Sequence, residues 1–314
     1  MKPLRYLILL SPLLLASPLA ADELGRELRE LATVGDIAAI ERLIKGGVDP
    51  DTANRYGLTP LMFAAESGNS QVVKLLISAG ADVNARSVAG CTALTYGAES
   101  GNSDIVKMLL ARGARTVSKT RAGWDALMIA VRYGFTDVAE LLIAAGANIN
   151  TSDRNGDTAL MVAVEKRNFA MIELLLAADA DIHIRNGNGY SAMMLAAEAG
   201  YLPLVKLLVE HGAEVAALSD GGASALNLAA EGGHPGTAEY LLSRGADIAH
   251  QDANGTTPLM GAVLAGDLRV VQVLLAGGAD VSQKDADGLS ALDYAQAGGS
   301  GEITALLETA VTAR

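Results

Sequence analysis

Tyr56-Gly57-Leu58-Thr59-Pro60-Leu61-Met62-Phe63-Ala64-Ala65-Glu66-Ser67-Gly68 is the stretch that decides the fold, because it returns. Gly57 is followed at a constant 33-residue interval by Gly90, Gly123, Gly156, Gly189, Gly222, Gly255 and Gly288. Thr59-Pro60-Leu61-Met62 comes back as Thr257-Pro258-Leu259-Met260. Between them stand Thr92-Ala93-Leu94, Asp125-Ala126-Leu127-Met128, Thr158-Ala159-Leu160-Met161, Ser191-Ala192-Met193-Met194 and Ser224-Ala225-Leu226. A fixed period of this size means stacked units that each bury a face against the next. Such a chain offers a surface, and the question is what it holds.

Each unit follows one grammar. A glycine turn comes first. Thr or Ser then caps a helix by accepting a free backbone N–H, and Pro or Ala opens the helix where a missing N–H costs nothing. The short helix stops at a second glycine: Gly68, Gly101, Gly134, Gly200, Gly233, Gly266 or Gly299. A second helix carries an apolar stripe, as in Val72-Val73-Lys74-Leu75-Leu76, and ends at Gly80, Gly113, Gly146, Gly212, Gly245 or Gly278. Glycine suits the left-handed conformation that closes a helix.

This turn–helix–helix grammar resembles the ankyrin repeat, with its G-x-T-P-L-H-x-A-A-x-x-G, V-x-x-L-L and G-A-D-V-N signatures. The resemblance covers Asp22 to about Arg314. It implies an all-α ankyrin-repeat solenoid of stacked helix-turn-helix units joined by β-turn, hairpin-like loops. The expected division is an export signal at 1–21, an N-terminal capping repeat at 22–53 and a C-terminal capping repeat at 285–314. Between the caps fall seven full repeats, 54–86, 87–119, 120–152, 153–185, 186–218, 219–251 and 252–284. One departure is the histidine of T-P-L-H. Its slot holds Met62, Thr95, Met128, Met161, Met194, Asn227, Met260 and Asp293, so apolar packing must replace most of a hydrogen-bond network. A row of thioethers is also more oxidisable than imidazoles, which suggests a sacrificial role. In the unit 153–185 both helix-end glycines are gone, replaced by Arg167 and Asp179. Either the backbone adapts there, or strain on the order of 1 kcal/mol per residue is kept.

The N-terminus has the plan of a secretory signal peptide. Lys2 and Arg5 precede the apolar run from Tyr6 to Ala16, and Ala20-Ala21 precede Asp22-Glu23. The run is short and broken by Pro12, which argues against a membrane span. The expectation is export, to the periplasm in a Gram-negative bacterium and otherwise by secretion. The formal net charge of −12 disfavours nucleic acid and anionic membrane as partners. The single cysteine, Cys91, excludes an intrachain disulfide, and the four scattered histidines lack metal-ligand spacing. No catalytic motif is present, and Asp-Gly turns such as Asp153–Asp157 lack the downstream glutamate of a calcium loop. Catalytic residues, cofactor and metal are therefore all expected to be none, and the chain is expected to be a monomer.

The resemblance implies partners docked on the concave side, at the turn tips and first helices. Carried over by position, that surface draws on Tyr56, Cys91, Arg121, Trp124, Arg132, Tyr133, Arg154, Lys166 and Tyr190. Trp124 is the only tryptophan, and exposed Trp, Tyr and Arg dominate interface energies. Cys91 holds the slot of Trp124 one unit earlier. It reads as a small apolar filler, with an accessible thiol in an oxidising compartment as the alternative. An acidic row, Glu66, Glu99, Glu165, Glu198 and Glu231, is interrupted by Arg132. A hydrolase using that row is the rival reading. Carboxylates on neighbouring helices would stand about 10 Å apart, too far for a usual acid–base pair. The reading is a non-catalytic protein-binding module. One version of that reading is an immunity or inhibitor protein for an envelope-targeting toxin or enzyme, with an accessory factor for a periplasmic oxidative-stress enzyme, or an envelope scaffold, as alternatives.

Overall fold

The repeated grammar folds as helical hairpins, in a computed structural model that describes residues 18–312. Most of the segment read as an export signal, residues 1–17, lies outside the described residues; Pro18 opens the first helix. The helices group into two units that divide after Asn148. The first holds α1 (Pro18–Val34) with α2 (Ile37–Lys45), α3 (Pro60–Glu66) with α4 (Ser70–Ser78), α5 (Ala93–Glu99) with α6 (Ser103–Ala111), and α7 (Ala126–Tyr133) with α8 (Thr136–Ala144). The second holds α9 (Ala159–Glu165) with α10 (Phe169–Ala177), α11 (Ala192–Glu198) with α12 (Leu202–Glu210), and α13 (Ala225–Glu231) with α14 (Pro235–Ser243). It closes with α15 (Pro258–Ala265) and α16 (Leu268–Ala276), then α17 (Ala291–Gly298) and α18 (Gly301–Thr312). The described residues form 18 helices and no strand; three isolated antiparallel bridges pinch loops at Ser152–Thr158, Leu218–Ser224 and Lys284–Ser290.

Inner helices of seven or eight residues are too short to persist alone. Two things hold them. The first is capping: Thr59, Thr92, Asp125, Thr158, Ser191, Ser224, Thr257 and Ser290 each accept the backbone N–H three residues on. The second is burial. In the first unit α1, α3, α5 and α7 pack in one row, backed by α2, α4, α6 and α8. In the second, α9, α11, α13, α15 and α17 form a row, and α12, α14, α16 and α18 back it. The leucines at the third place of this motif, such as Leu61, Leu127 and Leu226, are fully buried in the inner repeats, and truncating such a residue to Ala costs about 2–5 kcal/mol. At the ends, α1 buries Leu28 and Ala32 while Glu23, Arg26 and Glu27 face water, and α18 buries Ile303 and Leu307 beside exposed Glu302 and Glu308. Those polar outer faces close the stacks.

The turn tips are tied to one another through the backbone. In the first unit Val88 N–H donates to Tyr56 O (2.8 Å) and Arg121 N–H to Ala89 O (2.8 Å). In the second, Gly187 donates to Asn155 O (2.7 Å), Asp220 to Asn188 O (3.2 Å), Ala253 to Gly221 O (2.9 Å) and Ala286 to Asn254 O (3.0 Å). The donor moves on by one period each time, so the 33-residue interval is also a hydrogen-bond register.

The methionine row answers the missing histidine in an unexpected way. Met62, Met128, Met161, Met194 and Met260 are all buried. Packing is part of their role, but the thioethers of Met161 and Met260 also accept the cap N–H of Thr158 (3.5 Å) and Thr257 (3.4 Å). Thr95 Oγ1 does the same for Thr92 N–H at 2.8 Å. Asn227, fully buried, accepts from Ser224 and donates from Nδ2 to Thr256 O (3.1 Å), which stitches one repeat to the next. The expected sacrificial role for the thioethers is overturned here: the row is sealed from solvent, and oxidation needs access.

In the glycine-poor unit the backbone does not adapt. Arg167 and Asp179 keep φ of 53° and 61°, the only non-glycine residues at positive φ among the described residues. The neighbouring repeats hold glycine there, Gly134 and Gly200 at 78° and 68°, Gly146 and Gly212 at 80° and 95°. Arg167 has partial compensation, because its guanidinium carbon lies 3.5 Å from the ring centroid of Tyr201 and a cation–π contact is worth about 0.5–1 kcal/mol. Among the described residues Asp179 has no ring contact of this kind. Asp179→Gly is expected to raise the stability of the chain by about 1 kcal/mol in urea denaturation. Arg167→Gly is expected to change it by less, since relief of strain is offset by loss of the Tyr201 stack. A destabilising Asp179→Gly would contradict the assignment of strain.

Candidate protein-binding surface

The aromatic and basic residues of the first unit converge at the tip before α7 and at the end of that helix. Thr120 shapes the tip: its Oγ1 accepts from Trp124 N–H (3.1 Å), and its own N–H donates to Trp124 O (2.8 Å). Trp124 was expected to stand exposed; it is half-buried instead. The reason lies eight residues on. Arg132, in the last turn of α7, lays its guanidinium carbon 4.8 Å from the Trp124 ring centroid. Spread over an indole face, a planar cation keeps one side in water and covers the ring with the other. Tyr133 follows, half exposed, stacked on Phe135 with centroids 6.2 Å apart. Its hydroxyl donates to Glu99 of α5 at 2.9 Å, and that bond, then the carboxylate charge, pushes the phenol up from its ordinary range. Arg121 is exposed on the same tip. The structure thus brings Trp124, Arg132 and Arg121 to one tip, and ties Tyr133 to a residue of the acidic row.

Tyr56 is exposed on an earlier tip, where Arg55 covers its ring at 4.7 Å and donates to its hydroxyl at 2.6 Å. Cys91 is half-buried. Its neighbour is Tyr96 of α5, which the sequence reading passed over. Burial, then the proximity of Cys91, Glu66 and Glu99, pushes the Tyr96 phenol up to about 12. Cys91 therefore lies close to the Tyr96 phenol, at the edge of the packed α5 face. The signal for Tyr96 was available in the column Phe63, Tyr96, Ile129, Val162, Leu195, Leu228, which sits one residue beyond the T-P-L-H slot.

In the second unit most of the basic residues near the tips are spoken for. Lys166 pairs with Glu165 at 2.9 Å. Arg185 donates from Nε to Gly189 O (2.8 Å), contacts Leu218 O and pairs with Asp220 at 3.3 Å. Arg154 is exposed on its tip. Tyr190, half-buried, is pushed up by burial and by Glu198 and Glu231. A shallow cleft of about 260 Å3 is lined by Val162, Glu165, Leu195, Glu198 and Tyr201. Glu231 leans over the next inner helix, where a Cβ on Gly261 would lie 2.8 Å from its Cγ. Burial, then Asp252 and Glu198, pushes the Glu231 carboxyl up. The face of this unit is acidic, and the expected basic set there, Lys166 and Arg154, does not form a free cationic patch. Among the described residues no group of three or more His, Cys, Asp or Glu is set to hold a metal, and no helix is long and apolar enough to cross a membrane.

Capped hairpins stacked in register, with their variable residues gathered on tips and inner helices, define a repeat protein that works by presenting a surface. The chain belongs to the ankyrin-repeat family. The family model for ankyrin repeats in three copies matches residues 28–120, 114–186 and 178–252, and that for ankyrin repeats in many copies matches 241–295. Curated relatives include the ankyrin repeat, SAM and basic leucine zipper domain-containing protein 1 of Atelerix albiventris, 38% identical over 58 residues. The same protein of Equus caballus is 40% identical over 55 residues. Each match takes in 18% of this chain and 12% of the relative, so the likeness is one of repeats. Membership makes the chain a protein–protein interaction module.

The shifted Glu231 gives a test with a definite sign. Its folded carboxyl binds a proton more readily than the unfolded one, so at neutral pH the folded state carries a charge it disfavours. The group's contribution to stability is fully present below the ordinary glutamate range and is lost as pH rises through the folded value. Glu231→Gln is therefore expected to raise the urea midpoint at pH 7, with the difference from wild type vanishing once pH falls below that range. A variant less stable at pH 7 would contradict this placement.

Proposed function

We propose that this chain is an exported protein that captures a protein partner at the Trp124–Arg132 tip, with Arg121 and Tyr133 beside it. The observation that carries the reading is the Arg132 guanidinium held on the Trp124 ring at 4.8 Å. An aromatic anchor already ordered by its own neighbour loses little freedom on binding. Trp, Tyr and Arg are also the residues that dominate interface energies. Tyr56 and the Cys91 tip extend the surface within the first unit; Arg154 stands exposed on a tip of the second. Lys166, paired with Glu165, serves orientation rather than anchoring, and Tyr190 stands half-buried near Glu198 and Glu231. The role that suits a rigid, preformed surface is that of an immunity or inhibitor protein blocking an envelope-targeting toxin or enzyme. Export rests on the charged, apolar and small-residue segments between Met1 and Ala21.

Two measurements test this. Affinity capture from the native envelope fraction, followed by titration of the captured partner, is expected to show Trp124→Ala with Arg132→Ala binding roughly 30-fold more weakly, about 2 kcal/mol, with unchanged circular dichroism. Undiminished binding would remove the tip from the interface. The mature protein is expected to begin at Ala21 or Asp22 in intact-mass analysis; a chain retaining Met1 to Ala20 would overturn export by this signal.

A further inference from the structure

A cleft in the first unit lies where α1 meets the Tyr56 tip. Its volume is about 460 Å3, and Arg26, Arg29 and Arg55 line it together with Tyr56 and Phe63. Three arginines in one cleft are notable in a chain with 24 basic and 36 acidic residues. Arg29 is the informative one. It is only 8% exposed. Its one hydrogen bond among the described residues runs from Nη1 to Thr52 O at 3.1 Å, and no carboxylate there pairs with it. A guanidinium has five N–H donors in a planar fork. Burying that charge against a single neutral acceptor is costly unless an anion completes the set.

The rest of the lining says which anion. Asp22 and Glu30 also line the cleft, yet neither lies within ion-pair distance of its arginines. Three cations against two carboxylates leave the lining net positive, which suits an anion. Tyr56 supplies a donor: its oxygen accepts from Arg55 Nη2, which leaves the hydroxyl proton to give. The exposed ring of Tyr56 and the half-exposed ring of Phe63 supply an apolar wall. We propose that this cleft is a carboxylate-binding subsite for a peptide, in which the guanidinium of Arg29 takes the two oxygens in a paired bond. Arg26 and Arg55 supply the field, and an apolar side chain next to the carboxylate lies on Phe63 and Tyr56. The carboxylate can be a chain terminus or an Asp or Glu side chain; the chemistry is shared. The subsite stands apart from the Trp124 reading, because Trp124 does not line it and small peptides probe it without the natural partner.

The test uses the full chain, isotopically labelled so that the arginine Nε–H signals are resolved by NMR. The probes are N-acetyl-Gly-Phe as free acid, its C-terminal amide, N-acetyl-Phe-Glu-Gly amide and inorganic phosphate. The free acid or the internal glutamate peptide is expected to bind saturably and to shift the Arg29 Nε–H, with the neutral amide at least about tenfold weaker. Tighter binding of the free acid assigns the site to chain termini, and tighter binding of the glutamate peptide assigns it to acidic side chains. Arg29→Lys keeps the charge and loses the fork, and is expected to weaken binding at least about tenfold. Should that variant unfold, Arg26→Gln with Arg55→Gln, both at exposed positions, must give the same direction. Equal binding of acid and amide, tighter binding of phosphate than of either carboxylate peptide, no saturable binding, or variants that bind as wild type would each overturn the proposal. A Trp124→Ala chain that still binds the peptides separates this outcome from failure of the anchor at that tip.

Discussion

Nearly every helix end in the hairpins turns on a residue held at positive φ, and the stacking depends on those turns. The conformation lets the chain leave a helix of two turns and re-enter the next at a fixed angle, so that the leucines of successive repeats meet in one row. Glycine provides it at almost no cost. Arg167 and Asp179 show how firmly the fold demands it: the left-handed backbone persists at 53° and 61° with the wrong residues in place. The fold therefore tolerates the loss of the residue more readily than the loss of the turn.

The cap chemistry shows the same tolerance. The position after each T-P-L is filled with Met, Thr, Asn or Asp, and in five repeats its side chain accepts the backbone N–H of its own helix cap. Thr95, Asn227 and Asp293 accept through oxygen, and Met161 and Met260 through sulfur. A thioether is a weak acceptor, so these helices lean more on burial of the same side chain. The consequence for function is a stiff inner row whose constant positions are fully occupied by folding, which leaves recognition to the tips and helix ends.

The parts that were legible in sequence are those that repeat. Phase, caps, helix ends and the polar outer faces of the first and last hairpins could be read because each was printed many times over. The candidate surface was legible only as a list. Its geometry depends on which side chain folds over which neighbour, and Arg132 lying on Trp124, or Tyr96 beside Cys91, follows from distances between columns that no period records. Arg29 is the sharpest case. In Glu27-Leu28-Arg29-Glu30 it reads as one more charge on a solvated helix face, whereas the tip that follows α2 covers it. The Asp179 turn was visible as a departure, but whether the backbone would yield depended on the neighbouring repeats.

The tip ladder carries a final implication. Each of its hydrogen bonds joins residues 32 positions apart, Tyr56 to Val88 or Gly221 to Ala253, and the tips inside each run both give and receive. Removing a single residue from a hairpin would throw every later bond out of step, whereas removing or copying a stretch of one period would let the two cut ends meet with their partners already in line. A chain built this way can lengthen or shorten by recombination between its own copies without passing through a misfolded ancestor. Its tips are then free to diverge one at a time, each change sampled on a backbone whose bonds are made without reference to the side chain displayed.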